Sequence, residues 1–202
     1  LATDQANEQH YEVPTEYFDL VLGPWKKYSC TVWPESGTTL EESEEAMLRL
    51  TASRAEIKDG QAVLELGCGW GSFTLWIATQ FPKCRLTAVS NSRTQKEYIE
   101  AEAAKRGLAN ITVLTADMNQ FQPDRKFDRV VSIEMFEHMK NYDLLLRRIS
   151  KWMGAEAKLF VHIFVHRCFP YHFEDSGEQE DWMAKYFFTG GTMPSDDLLL
   201  RF

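Results

Sequence analysis

Between residues 62 and 72 the chain reads Ala-Val-Leu-Glu-Leu-Gly-Cys-Gly-Trp-Gly-Ser, an apolar strand pattern that breaks into three alternating glycines and then into a helical pattern. A residue without a Cβ turns the backbone that tightly and leaves room for a ligand at the start of the following helix. The spacing of Gly67, Gly69 and Gly71 is GxGxG and not the GxGxxG of dinucleotide folds. The positions roughly 20 residues further on are Ser90 and Asn91, not an acid for a ribose hydroxyl. A nicotinamide dinucleotide is therefore disfavoured. Glu65 falls inside the strand, where an unpaired carboxylate is costly unless it faces a polar ligand or backbone donors.

The remaining pattern extends this unit into a doubly wound, mainly parallel α/β sheet of Rossmann-like type. Strands are expected at 61–66, 85–90, 111–115, 127–133 and 157–165, with helices over Ser72–Phe81, Arg93–Gly107 and Tyr142–Met153. Gly107 is a natural helix stop. Upstream, Thr39-Leu40-Glu41-Glu42 has the form of a capping box, and Leu40, Met47, Leu48, Thr51 and Ala55 recur on one helix face. Residues 1–38, rich in Tyr, Trp, Pro and Gly, read as an N-terminal arm or lid with a short helix from Thr15 to Leu22. Residues 39–166 read as the ligand-binding core, and 167–202 as the start of an aromatic, acidic, substrate-facing insertion.

Charge and composition narrow the partners. Lys and Arg number 22 against 30 Asp and Glu, so the net charge is 22 − 30 = −8, which excludes a broad cationic footprint for nucleic acid. Apolar runs such as Leu159 to Val165 are far shorter than the ~20 residues of a membrane span. No membrane insertion is expected. The four cysteines are scattered without a CxxC, which indicates neither a disulfide framework nor a zinc site and fits a cytoplasmic setting. His162 and His166 share a strand face by period-2 spacing, but no third ligand has recognisable spacing, so no metal is expected. The chain begins at Leu1 without Met and stops on an uncapped apolar run, Leu198 to Phe202. This reads as a fragment whose exposed apolar surface would favour aggregation or a homodimer.

Candidate chemistry gathers after the fourth strand, in Glu134, Glu137 and His138. Ligands of open α/β sheets lie beyond the carboxyl ends of the strands. Two carboxylates and an imidazole within five residues can hold a cationic amine, order it and accept its proton. The bland reading of His138 is a helix cap or a polar corner. Asp117, after the third strand, has the bland reading of a surface cap. The acids Glu174, Asp175, Glu178, Glu180 and Asp181 read as a solvated face, although a net charge of −8 favours a cationic substrate over an anionic phospholipid surface.

The strand, acid, glycines and helix together resemble the first motif of class I S-adenosylmethionine-dependent methyltransferases. The resemblance implies that Gly67, Gly69 and Gly71 pass under the methionine part of the cofactor. It implies ribose contacts at Ser90, Asn91 and Gln95, and adenine recognition by Asp117. Lys27-Tyr28-Ser29-Cys30, Gly69-Trp70-Gly71-Ser72, Glu134 to His138 and Phe187 to Ser195 are similar to the cyclopropane fatty acid synthase superfamily, and within it to the coclaurine N-methyltransferase branch, over residues 9–202. That branch implies S-adenosyl-L-methionine as cofactor, Tyr28 and Ser29 closing over it, and a small secondary or tertiary, isoquinoline-like amine as substrate. It also implies His138 as general base, Glu137 as its orienting partner and Glu134 as an ammonium anchor. Aromatics from Tyr11 to Trp33 and from Phe169 to Phe173 would line an apolar, cation-tolerant cage. Two other readings stand beside this one. The first is lipid alkylation of unsaturated phospholipid acyl chains, with a bicarbonate held near Cys30, Glu137 and His162. The second is a catalytically silent cofactor-binding regulator.

Overall fold

The computed structural model describes residues 15–175, 177 and 182–202; Tyr11, Glu178, Glu180 and Asp181, singled out above, lie outside them. In chain order the elements are α1 (Thr15–Val21), α2 (Leu40–Arg54), β1 (Ala62–Leu66), α3 (Ser72–Gln80), β2 (Arg85–Ser90), α4 (Arg93–Lys105), β3 (Ile111–Thr115) and β4 (Phe127–Ile133). There follow a 3₁₀ turn (Phe136–His138), α5 (Tyr142–Trp152), β5 (Met153–His162), β6 (Tyr171–His172), α6 (Trp182–Tyr186), β7 (Thr192–Met193) and a 3₁₀ turn (Leu198–Arg201). Among the described residues no helix is long and apolar enough to cross a membrane.

Five strands pair in parallel in the order β3-β2-β1-β4-β5. β1 is buried along its whole length, which is why its sequence is apolar at every position but Glu65 and does not alternate. Successive β1 side chains feed opposite layers. Leu64 and Leu66 pack with Phe127, Val130, Phe136 and Ile149, whereas Val63 packs with Leu48, Phe73, Trp76 and Val131. The strand order reverses between β1 and β4, so the cleft belongs at their carboxyl ends.

Helix boundaries follow local chemistry. Thr39 Oγ1 accepts from the Glu42 amide at 3.3 Å and the Glu42 carboxylate accepts from the Thr39 amide at 2.8 Å, closing the capping box of α2. Gly107, at φ +68°, ends α4 in the left-handed conformation that Gly adopts without strain. On α2, Met47, Leu48 and Thr51 are buried as expected, but Leu40 is 43 % exposed. Polar Ser43 and Glu44 take buried places instead: the Ser43 hydroxyl donates to the Leu40 carbonyl at 2.7 Å, and Glu44 serves the preceding loop, as described below.

β5 departs from the expected 157–165 at both ends. It begins at Met153 because Phe127 pairs with Met153 before the register slips, and Arg129 then pairs with Lys158. It ends at His162 because the last ladder bond is donated by the Glu134 amide to the His162 carbonyl, at 2.8 Å, where β4 has already finished. The segment beyond folds into an antiparallel β6–β7 ribbon, and a bridge pairs His166 with Ser195.

Candidate active site

The glycine turn starts where the Gly67 and Cys68 amides both donate to the Val89 carbonyl at 3.0 Å. Gly67, Gly69 and Gly71 all have positive φ, at +78°, +51° and +77°. A Cβ on Gly67 would lie 2.8 Å from Met135 Cβ, and one on Gly71 would lie 2.6 Å from Ile99 Cγ1. These two glycines admit core neighbours. Gly69 differs, since its Cβ would meet only the Tyr28 ring, at 3.2 Å. It faces a cleft of about 780 Å³ lined by Lys27, Tyr28, Glu65, Glu134 and His138, among others.

A smaller space of about 320 Å³ continues from Tyr28, Gly67 and Gly69 to Ser90, Asn91 and Gln95. Ser90 Oγ donates to Gln95 Oε1 at 2.7 Å and accepts from the Ser92 amide at 3.0 Å, which fixes the Gln95 carboxamide. Gln95 Nε2 is buried without a hydrogen-bond partner. A buried donor left unpaired costs about 1–3 kcal/mol, and here it borders that space. Asp117 is placed otherwise. It is absent from the lining of both spaces, and its Oδ1 accepts from the Asn119 amide at 2.8 Å and from Asn119 Nδ2 at 2.7 Å.

The loop carrying Lys27, Tyr28, Ser29 and Cys30 is held by Glu44, a residue the apolar spacing of α2 gave no reason to single out. Glu44 is fully buried, its Oε1 accepting from the Lys27 amide at 3.1 Å and its Oε2 from the Trp25 amide at 3.0 Å. Lys27 Nζ in turn donates to Ser29 Oγ. α1 is tied to the same region by Phe18 on Trp70, with centroids 5.0 Å apart, and by an Asp19–Lys26 ion pair. Glu44→Ala would leave two amides without acceptors at about 1–3 kcal/mol each. A fall in melting temperature of several degrees is expected, together with weaker binding of whatever Tyr28 covers. Thermal denaturation and calorimetry on the variant check both.

At the end of β4 the backbone becomes strained. Glu134 has φ +51°, a region costly for a residue with a long side chain and common at functional sites. The twist sends Met135 beneath Gly67, while Glu134 lines both spaces. Glu134 Oε1 lies 3.9 Å from His162 Nε2, and Cys30 Sγ lies 3.5 Å from the same nitrogen. Glu137, which the lipid reading groups with Cys30 and His162, stands apart from them: it is fully buried, its Oε1 accepts from the Phe164 amide at 3.1 Å, and its Oε2 is unpartnered. His138 lines the cleft and packs on Phe188, with centroids 5.0 Å apart. His166 does not join His162. Its Nδ1 accepts from the Cys168 and Phe169 amides at 3.1 and 2.9 Å.

Burial raises the Glu65 carboxyl to about 8, against an opposing hydrogen bond from Thr74 Oγ1 and the nearby charge of Lys27. Burial likewise raises Glu137 to about 7, and the neighbouring Glu134 charge adds to the effect. Both folded values lie above the unfolded one, so the proton stabilises the folded chain. That contribution is complete below about pH 4.5 and is lost as the pH climbs through about 7 to 8. Chemical denaturation should accordingly show stability falling by a few kcal/mol between about pH 5 and pH 9. In Glu65→Gln the fall should be visibly smaller.

A five-stranded parallel sheet of this order, with a glycine turn after the central strand and a cleft at the β1–β4 switch point, is the fold of the Rossmann-like class I methyltransferases. The chain matches the mycolic acid cyclopropane synthetase family model over residues 2–200, and it belongs to that family. It is 46 % identical over 198 residues to the (S)-coclaurine N-methyltransferase of Thalictrum flavum subsp. glaucum, an alignment covering 97 % of this chain and 55 % of that protein. The cyclopropane-fatty-acyl-phospholipid synthase of Escherichia coli (strain K12) is more distant, at 28 % over 190 residues, covering 93 % of this chain and 46 % of that protein. The crystal structure of a coclaurine N-methyltransferase bound to N-methylheliamine and SAH superimposes with a TM-score of 0.92 at 44 % identity, covering 98 % of this chain and 58 % of that one. The chain thus spans about half the length of these curated relatives.

Proposed function

We propose that the protein of which this chain forms part is an S-adenosylmethionine-dependent N-methyltransferase acting on a small secondary or tertiary amine of isoquinoline type. The observation that carries the reading is the cleft itself. A glycine cradle open at Gly69 and an orphaned Gln95 donor meet, across one space, the strained Glu134 and the imidazole of His138. The neighbouring N-methyltransferases among the relatives lend the substrate class.

The residues fit the cofactor, which when bound supplies an electrophilic methyl group on a sulfonium. Gly69 keeps a side chain out of its path while Gly67 and Gly71 let the turn close on Met135 and Ile99, Ser90, Asn91 and Gln95 offer hydroxyl and amide groups to its ribose, and Tyr28 and Ser29 close the mouth. Glu65, close to neutral at physiological pH, accepts from Thr74 at the root of the turn and braces it. Asp117 belongs to the adenine end in this reading, its second carboxylate oxygen left for the ligand. Glu134 anchors a cationic amine. An amine arriving as ammonium has no lone pair, so a base must take its proton before it attacks. His138 takes it at a ring nitrogen, and Glu137, three residues after Glu134 and with one buried oxygen uncommitted, stabilises the charge that results. Phe188 against His138 and Phe187 at the cleft wall keep water from the reacting groups.

One observation favours the lipid reading: Cys30 Sγ and His162 Nε2 stand 3.5 Å apart, next to the cleft-lining Glu134. A methyl-transfer screen of the full-length protein with labelled cofactor separates the two. Tetrahydroisoquinolines are expected to take up label and unsaturated phospholipid is not; label in lipid alone would replace this function by the other.

A further inference from the structure

Residues 30, 134 and 162 have no spacing that marks them as a set, yet the fold brings one donor atom from each together. The Cys30 sulfur, a Glu134 carboxylate oxygen and a His162 ring nitrogen all lie within 4.8 Å of one another. We infer that this trio is a binding site for a thiophilic divalent cation of the zinc class. Tetrahedral zinc, with bonds of about 2.3 Å to sulfur and about 2.0–2.1 Å to nitrogen and oxygen, needs neighbouring ligand atoms roughly 3.4–3.6 Å apart. The Cys30 Sγ to His162 Nε2 separation is 3.5 Å, already at that value. Glu134 Oε1 to His162 Nε2, at 3.9 Å, closes with a change in the carboxylate torsion.

The positions are suited to holding such an ion. His162 is the final residue of β5, its carbonyl fixed by the Glu134 amide, so two of the three ligands ride on one backbone hydrogen bond. Cys30 comes from the loop that Glu44 clamps and is an exposed residue. One thiolate, one imidazole and one carboxylate are a donor set that prefers zinc, cobalt or cadmium to magnesium or calcium. Three protein ligands leave the fourth position open to water from the cleft. Binding displaces the Cys30 thiol proton to solvent, so the site gains a dication and loses one proton. Lys27 and Arg54 are nearby cations that oppose the ion, and the Lys27 ammonium is directed to Ser29 Oγ. An ion seated here would take Glu134 from a cationic substrate and act as an inhibitor; that consequence rests on the amine-binding reading, whereas the binding itself does not.

Cobalt(II) added to the metal-free full-length protein tests the site by spectroscopy, independently of catalysis. The expected result is a saturable thiolate-to-cobalt charge-transfer band at one equivalent. It should be lost in Cys30→Ser, kept in Cys168→Ser, and shifted to roughly tenfold or weaker affinity in His162→Ala, with S-adenosylhomocysteine affinity measured in each variant to confirm folding. Should Cys30→Ser fail to fold, His162→Ala carries the test alone, through the same affinity shift. No band in the wild type, a band that survives Cys30→Ser, or unchanged affinity in a folded His162→Ala would overturn the inference.

Discussion

Replacing Gly69 by valine is expected to weaken S-adenosylhomocysteine binding by ~100-fold or more while leaving the protein folded, a loss of about 2.7 kcal/mol in binding free energy. The two halves of that expectation have different causes. A Cβ at Gly69 meets nothing but the half-exposed Tyr28 ring, at 3.2 Å, which can give way by a few tenths of an ångström. The left-handed backbone at φ +51° then adds about 1–2 kcal/mol of strain. Gly69 lines the cleft, however, so the two methyl groups of valine are expected to take up space that the methionine part of the cofactor needs in the proposed reading. The flanking glycines behave otherwise. A side chain at Gly71 runs into Ile99, which is completely buried, and one at Gly67 runs into Met135. Those variants should lose the fold together with the ligand. Calorimetry paired with circular dichroism distinguishes the cases, and wild-type affinity in Gly69→Val would remove the cofactor assignment.

The second large effect is at His138. If its imidazole takes the ammonium proton, His138→Ala should lower kcat by about 10²–10⁴-fold with little change in cofactor affinity. The wild-type rate at limiting amine should rise with pH, since only the unprotonated amine reacts. Glu137 shapes the same limb. Burial, with the Glu134 charge adding to it, holds its carboxyl at about 7, so the anion that stabilises protonated His138 forms as the pH passes through that value. Tyr142, also buried and near enough to feel the Glu137 charge, is pushed up and stays neutral across this range. Glu137→Gln should therefore reduce kcat and flatten the limb around about pH 7 without abolishing turnover. A His138→Ala enzyme with undiminished kcat would transfer the role of base to another group.

The sheet was legible because its signals are local. Apolar runs of strand length, helical periodicity, a capping box at Thr39 and a stop at Gly107 each depend on neighbours a few residues away. The turn from β1 into α3 was equally plain, since a strand, an acid and three glycines leave few alternatives. The ends of β5 were hidden because a bulge against β4 and the termination of β4 decide them, and both are facts of pairing. Glu44 escaped notice for a similar reason. A carboxylate in a helix reads as solvent-facing until the loop it clamps, about twenty residues earlier in the chain, is folded against it. The grouping of Glu137 with Cys30 and His162, which only the lipid reading carried, is undone over three residues of chain. The positive φ of Glu134, which no pattern announces, turns that side chain into the cleft beside His162, while Glu137 turns inward to the Phe164 amide.

The most direct test of the whole account is a competition in one vessel. Full-length protein, cofactor with an isotopically labelled methyl group, a benzyl-substituted tetrahydroisoquinoline and unsaturated phospholipid vesicles are combined in buffer stripped of bicarbonate, and both organic products are read by mass spectrometry. The account predicts one labelled methyl on the amine nitrogen, unmodified lipid, and the same rate when bicarbonate is restored. Labelled cyclopropane or methyl-branched acyl chains that form only when bicarbonate is present, with the amine untouched, would contradict it.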